Sequence, residues 1–186
     1  MNKAILSLIA CALSLAASAE TPKTAADRMC PIDGKPADSK YATEYEGHRY
    51  SACSEACLAK WKGDREASLY QQIGGKPAVE AAVNLFYVKV LADPRIKDFF
   101  ADVDMVRQHT KQKAFISAAL GSPVKYEGRD MRKAHAKIPD LNDSHFNAVA
   151  EHLQATLVEL KVKKELIDKV LAVVETTRAD VLNRAK

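Results

Sequence analysis

From residue 67 onward, apolar residues recur at the spacing of one helix face. Val79, Ala82, Val83, Phe86, Tyr87, Val90 and Leu91 fall at i, i+3, i+4 intervals, which predicts a helix from about Pro77 with one buried side. Ahead of it, Ser68 to Gly75 reads as a short helix stopped by the paired glycines 74 and 75. Asp93-Pro94 breaks the longer helix, and Arg95 to Phe100 reads as a turn delivering two adjacent aromatics, Phe99 and Phe100. A further helix from about Met105 sets Met105, Gln108, Gln112, Phe115, Ile116 and Ala119 on one face. Ser144 is the expected cap of a helix carrying Phe146, Val149, Leu153, Leu157 and Leu160. A last helix carries Leu166, Ile167, Val170, Leu171, Val174 and Leu182. No strand-like alternation occurs after Gly63, so this region is predicted to be all-α.

The chain begins differently. Lys3 precedes an apolar run from Ala4 to Ala17, and Ala17-Ser18-Ala19 has the small-x-small form of a signal peptidase site. A cleavable leader over residues 1–19 is expected, placing the product in the periplasm or outside the cell. Leu8-Ile9-Ala10-Cys11 also has the form of a lipoprotein cleavage site, which would instead acylate Cys11. After cleavage at Ala19 about 167 residues remain, enough for one ordinary domain and a small appendage. Nothing after residue 19 is long and apolar enough to span a bilayer. The formal charge of +4 is small and spread through mixed-sign segments, so nucleic-acid binding has no electrostatic footprint.

Residues 20–66 have a texture of their own. Cys30-Pro-Ile-Asp33-Gly34 forms a turn-rich knuckle, and Tyr41 to Tyr50 alternates around Glu46-Gly47, which predicts two short strands. Ser54 is the expected cap of a short helix from Glu55 to about Lys62, with Cys53 just before it and Cys57 on its first turn. The pattern Cys-x22-Cys-x3-Cys resembles the YHS and TRASH metal-binding modules. That resemblance implies copper or zinc at Cys30, Cys53 and Cys57, with Asp33 or His48 as a fourth ligand. The alternative is a disulfide among the three cysteines, stapling a segment too small to build its own core.

The chemistry of residues 67–186 centres on Gly121 to His135, a loop that runs into a short helical turn and presents a histidine at its end. Two glutamines, 108 and 112, sit where a buried helix face calls for apolar residues, and burying an amide without a partner costs about 1–3 kcal/mol. Either they lie on the flank in solvent or something polar meets them. The motifs Leu69 to Gly75, Leu85-Phe86-Tyr87 with Asp93-Pro94, Phe99-Phe100, Gln112 to Phe115, Tyr126-x-Gly128-x-x-Met131-x-x-Ala134-His135 and His145-Phe146-x-x-Val149 resemble, in order and spacing, a group I truncated haemoglobin.

That resemblance covers residues 68–182 and implies a globin-like two-over-two helical sandwich around one b-type haem, with a small cysteine-containing α+β module before it. It implies His135 as the axial ligand of the haem iron and Phe100 packed on the porphyrin. Tyr87, Gln108 and Gln112 become the donors to bound dioxygen, and Phe115 and Met131 further cofactor contacts. Ser122 departs from the family's usual second glycine. Lys111 stands where some members supply an internal sixth ligand; it either coordinates ferric haem or reaches a haem propionate or water. His109 is expected at the pocket's edge in solvent, and His145 and His152 as surface or packing residues. The implied function is reversible binding of dioxygen, and of nitric oxide. The alternatives are nitric oxide dioxygenase or peroxidase activity, which needs an external reductase because no flavin or nicotinamide motif occurs, and a haem sensor coupled to the cysteine module.

Overall fold

The computed structural model describes residues 28–184. The leader expected over residues 1–19, cleavage after Ala19 and acylation of Cys11 lie outside the described residues. Two compact units are present, one up to Ala59 and one from Lys60 onward.

In the first unit, β1 (Ala42–Tyr45) pairs antiparallel with β2 (His48–Ser51), Tyr45 opposite His48. Glu46 and Gly47 turn the hairpin at φ 51° and 79°, the left-handed pair a two-residue hairpin turn requires. Before the hairpin, Met29 bridges Pro36, and the Gly34 amide donates to the Cys30 carbonyl. Helix α1 (Glu55–Glu66) begins in this unit, where the Ser54 hydroxyl accepts from the Cys57 amide, and its residues from Lys60 on, four of them beyond the expected end at Lys62, count with the second unit.

The second unit contains helices joined by loops, and no strand among its described residues. Helix α2 (Leu69–Gln72) is capped by Ser68, whose hydroxyl accepts from the Gln71 amide, and Gly74 at φ 109° turns the chain into α3 (Gly75–Ala92). A 3-10 turn, Lys97–Phe100, leads to α4 (Met105–Ala119), capped by Asp104. Helix α5 (Met131–His135) is a single short turn, followed by α6 (Asp143–Glu159), α7 (Lys164–Glu175) and α8 (Arg178–Val181). Helix α3 packs on α4 and on α6, α6 on α7, and α5 on α8. Tyr70, Val79, Val83, Val90 and Ile96 are almost fully buried at the centre of this packing. No helix among the described residues is long and apolar enough to cross a membrane.

Two expectations are corrected. Asn142, not Ser144, caps α6: the Asn142 side-chain oxygen accepts from both the amide and the hydroxyl of Ser144. An asparagine reaches its second neighbour's amide as readily as a serine caps its own helix, so the start lies two residues earlier. The last helix is two helices, because Thr176 and Thr177 donate their hydroxyls back to the carbonyls of Val173 and Val174 and interrupt the ladder.

His152, expected as a surface or packing residue, joins a charged network instead. Its Nε2 lies 2.6 Å from Asp93, whose carboxylate also takes the Arg95 guanidinium at 2.7 Å. Arg95 continues to Glu151 at 2.9 Å, so the end of α3 is tied to α6. Arg95 holds the Asp93 carboxyl far below the usual carboxylate range, despite burial. A carboxyl depressed in the folded state stabilises above its unfolded pKa of about 3.9 and loses that contribution as pH falls through the folded value. Asp93→Asn should therefore lower the melting temperature at pH 7, and the gap to the parent protein should close in acid below about pH 4. Thermal melts across pH check this; a gap independent of pH would contradict the charge-based account.

Candidate functional site

Helices α3 to α8 enclose a cavity of about 540 Å³, within the range of roughly 300–1,000 Å³ that holds a drug-sized or cofactor-sized molecule. Val79, Val83, Ile116 and Leu157 give it apolar walls. Tyr87, Phe100, Gln108, Lys111, Gln112, Phe115, Met131 and His135 all line it. Residues 48 positions apart in the chain thus meet around one space.

His135 is delivered by α5, and the local sequence explains its orientation. Asp130 caps the turn by accepting from the Lys133 amide at 2.8 Å. The Arg132 guanidinium reaches across to Asp180 at 2.9 Å and to the Arg184 carbonyl at 2.7 Å, tying α5 to α8 and the residues just after it. One helical turn back, the Met131 carbonyl lies 2.7 Å from His135 Nδ1. A carbonyl only accepts, so Nδ1 carries a proton, and in the neutral ring the lone pair falls on Nε2. The half-buried ring thus presents a fixed tautomer whose free nitrogen suits a metal.

Tyr87 projects from α3 and is 2 % exposed. The Gln108 side-chain amide on α4 donates to its hydroxyl oxygen at 3.0 Å. The hydroxyl's own proton is therefore directed elsewhere. Burial pushes the phenol pKa up, with Gln108 opposing only in part, so Tyr87 is a neutral donor. Phe86 and Phe100 meet the ring edge-on at 5.2 and 5.9 Å. Gln112 follows Gln108 by one helical turn and lines the same cavity. Lys111 lines it too, with its side chain exposed.

One histidine departs from its expected place and another keeps to it. His109 does not stand free in solvent: it is half-buried and stacks on Tyr87, ring centroids 4.5 Å apart and planes 17° from parallel. Burial, helped by the charge of Lys113, lowers its pKa. His145 is a packing residue, as expected: it meets Phe99 edge-on at 4.9 Å, lines the cavity and has a buried Nδ1 without a hydrogen-bond partner among the described residues. In the loop before α5, Tyr126 packs edge-on against Phe115 at 5.5 Å. A Cβ on Gly128 would lie 2.1 Å from the Tyr126 ring, so glycine is what lets that ring fold over its own loop. Ser122, buried at the loop's start, accepts from the Val124 amide and stands in adequately as a turn residue.

The first unit has a separate cluster. Cys30, Asp33, Cys53 and Cys57 each offer a ligand atom, all within 4.8 Å of one another. The Cys53 and Cys57 sulfurs are 3.6 Å apart, and Cys53 lies 3.3 Å from the Asp33 carboxylate. All three cysteines are free thiols. Burial raises the Cys30 thiol, but backbone amides of Cys53, Asp33 and Ile32 outweigh it and lower the pKa. The Cys53 thiol is pushed up to about 12 by burial and the nearby Asp33 carboxylate, while hydrogen bonds, that from Cys30 first, draw Asp33 down to about 2. His48 sits exposed on β2, outside this group of four.

Known proteins resemble the helical unit closely. The bacterial-like globin family matches residues 68–183. A group 1 truncated hemoglobin from Synechocystis is 50% identical over 123 residues, covering 63% of this chain and 99% of the relative. Its counterpart from Tetrahymena pyriformis is 43% identical, covering 65% of this chain and 99% of the relative. Among solved structures, the cyanomet 2/2 hemoglobin from Synechococcus with covalently attached heme is 47% identical; the match covers 63% of this chain and all of that one, with a TM-score of 0.61.

Proposed function

Because the chain belongs to the bacterial-like globin family across residues 68–183, we propose that its helical unit binds one b-type haem through His135 and holds dioxygen beside Tyr87, Gln108 and Gln112. The observation that carries this reading is a single cavity lined by both an imidazole of fixed tautomer and a buried phenol whose oxygen is already satisfied. The residues fit the group: apolar walls for the ring system, the His135 Nε2 for the metal, and an exposed Lys111 to pair with a carboxylate at the edge. Haem, when bound, supplies an iron that takes up a diatomic gas and draws partial negative charge onto it.

Tyr87 answers that charge. Gln108 donates to the phenol oxygen and so frees the hydroxyl proton to donate into the cavity. Gln112 adds a second amide within reach of the same space, and nitric oxide fits the same donors. The apolar lining excludes water that would compete for them. In solution, the reduced haem-loaded protein should change spectrum in air and revert when oxygen is removed. Immediate, irreversible oxidation would contradict reversible gas binding at this site. Export of the protein belongs to the same proposal and rests on residues 1–19 alone.

The cysteine cluster favours a second reading, a metal centre in the first unit. A disulfide holds its sulfurs about 2.05 Å apart, whereas two thiolates on one tetrahedral zinc lie roughly 3.8 Å apart. The 3.6 Å between Cys53 and Cys57 matches the second case, and Asp33 completes a set of four with Cys30. We expect the protein to retain one equivalent of zinc or copper(I) through dialysis and Cys57→Ser to retain almost none, read by elemental analysis. Equal metal content in both would dispose of the centre.

A further inference from the structure

Tyr87 is held twice by adjacent residues of α4: Gln108 takes its oxygen at 3.0 Å, and His109 covers its ring face at 4.5 Å. Phe86 and Phe100 stand steeply inclined to the same ring, centroids 5.2 and 5.9 Å away. The imidazole alone of the three lies flat on it, 17° from parallel, and so blocks tilting of the phenol toward α4. We propose that His109 is a positioning residue that fixes the Tyr87 ring and thereby sets how slowly a bound gas leaves the cavity. This inference rests on the proposed gas-binding role of Tyr87 and goes beyond it, since His109 is absent from the cavity lining and reaches the gas only through another side chain.

The physical argument is one of geometry. A hydrogen bond weakens steeply as its angle falls away from linear, so a few tenths of an ångström at the hydroxyl matter more than the strength of the stack itself. Gln108 alone fixes one atom and leaves the ring free to pivot about that contact. A planar group on the ring face removes the pivot. His109 is at the same time far enough into solvent for its replacement to leave the helix intact: it is half-buried on α4, and alanine is the better helix former.

The test uses the full chain, haem-loaded and reduced, with oxygen release followed by stopped flow. His109→Ala should speed release by about tenfold, while His109→Phe, which keeps a flat ring at the same place, should stay near the parent rate. In a Tyr87→Phe background, His109→Ala should add nothing, because the hydroxyl through which it acts is gone. A His109→Ala rate equal to the parent, or an equal acceleration in the Tyr87→Phe background, overturns the inference. So does a ferric spectrum that changes spin state on His109→Ala, since His109 would then be an iron ligand. If Tyr87→Phe alone leaves release unchanged, the gas-binding role of Tyr87 fails; if Tyr87→Phe responds and His109→Ala does not, only the role of His109 fails.

Discussion

Replacing His135 by glycine should weaken haem binding by at least about a hundredfold, and added imidazole should restore the parent spectrum. The expectation follows from how little else in the cavity can replace this ligand. His145 lines the same space, but its Nδ1 has no hydrogen-bond partner among the described residues to fix the tautomer or the ring. His135 has both, from the Met131 carbonyl at 2.7 Å and from a helical turn tethered through Arg132. His145→Ala should accordingly leave the haem spectrum unchanged. Rescue by free imidazole separates a lost ligand from a lost fold, since a collapsed cavity would accept neither haem nor imidazole. A spectrum in His135→Gly identical to the parent, without imidazole, would move the ligand elsewhere.

Removal of the Tyr87 hydroxyl should have the next largest effect. A hydrogen bond to a group bearing partial charge, made inside an apolar cavity, is worth about 1.5–3 kcal/mol, so Tyr87→Phe should speed oxygen release roughly ten- to a hundredfold. The ring contacts with Phe86, Phe100 and His109 survive the substitution, so the melting temperature should move little. Gln108→Ala should act in the same direction and less strongly, because the phenol keeps its own proton when it loses the amide that orients it. Stopped-flow release rates order the three proteins. A Gln108→Ala rate above that of Tyr87→Phe would mean that the amide, and not the phenol, is the principal donor.

Much of the helical unit was legible in the spacing of its apolar residues. Helices α3 and α6 bury most of the faces that the i, i+3, i+4 pattern marks, Leu91 and Leu160 at their ends staying exposed, whereas α4 turns its face, half-buried, to the cavity. The two glutamines of α4 were legible only as a conflict, polar groups on an inward face. The cavity resolves that conflict by giving both amides a space to line and Gln108 a phenol to meet.

What remained hidden depends on contacts between elements. The stack of His109 on Tyr87 requires α3 and α4 to cross at one particular place, which no periodicity along either helix encodes. The pairing of His152 with Asp93 joins residues 59 apart through the docking of α6 beside the end of α3. The break at Thr176 and Thr177 was hidden for a different reason: the apolar pattern continues across it, and only the two hydroxyls, bonded back to the chain, interrupt the helix. In the cysteine segment the spacing left Asp33 and His48 equal as neighbours of the thiols. The knuckle at Gly34, turning at φ 70°, is what brings Asp33 to Cys53.

The account stands on one cofactor taken up by one imidazole, and titration of the purified full chain with haemin tests it most directly. Soret absorbance should rise to a sharp end point at one equivalent, and the reduced protein should show the iron–histidine vibration of an imidazole-bound haem in its resonance Raman spectrum. A titration without a saturating end point, or a haem that binds but shows no such vibration, would contradict it.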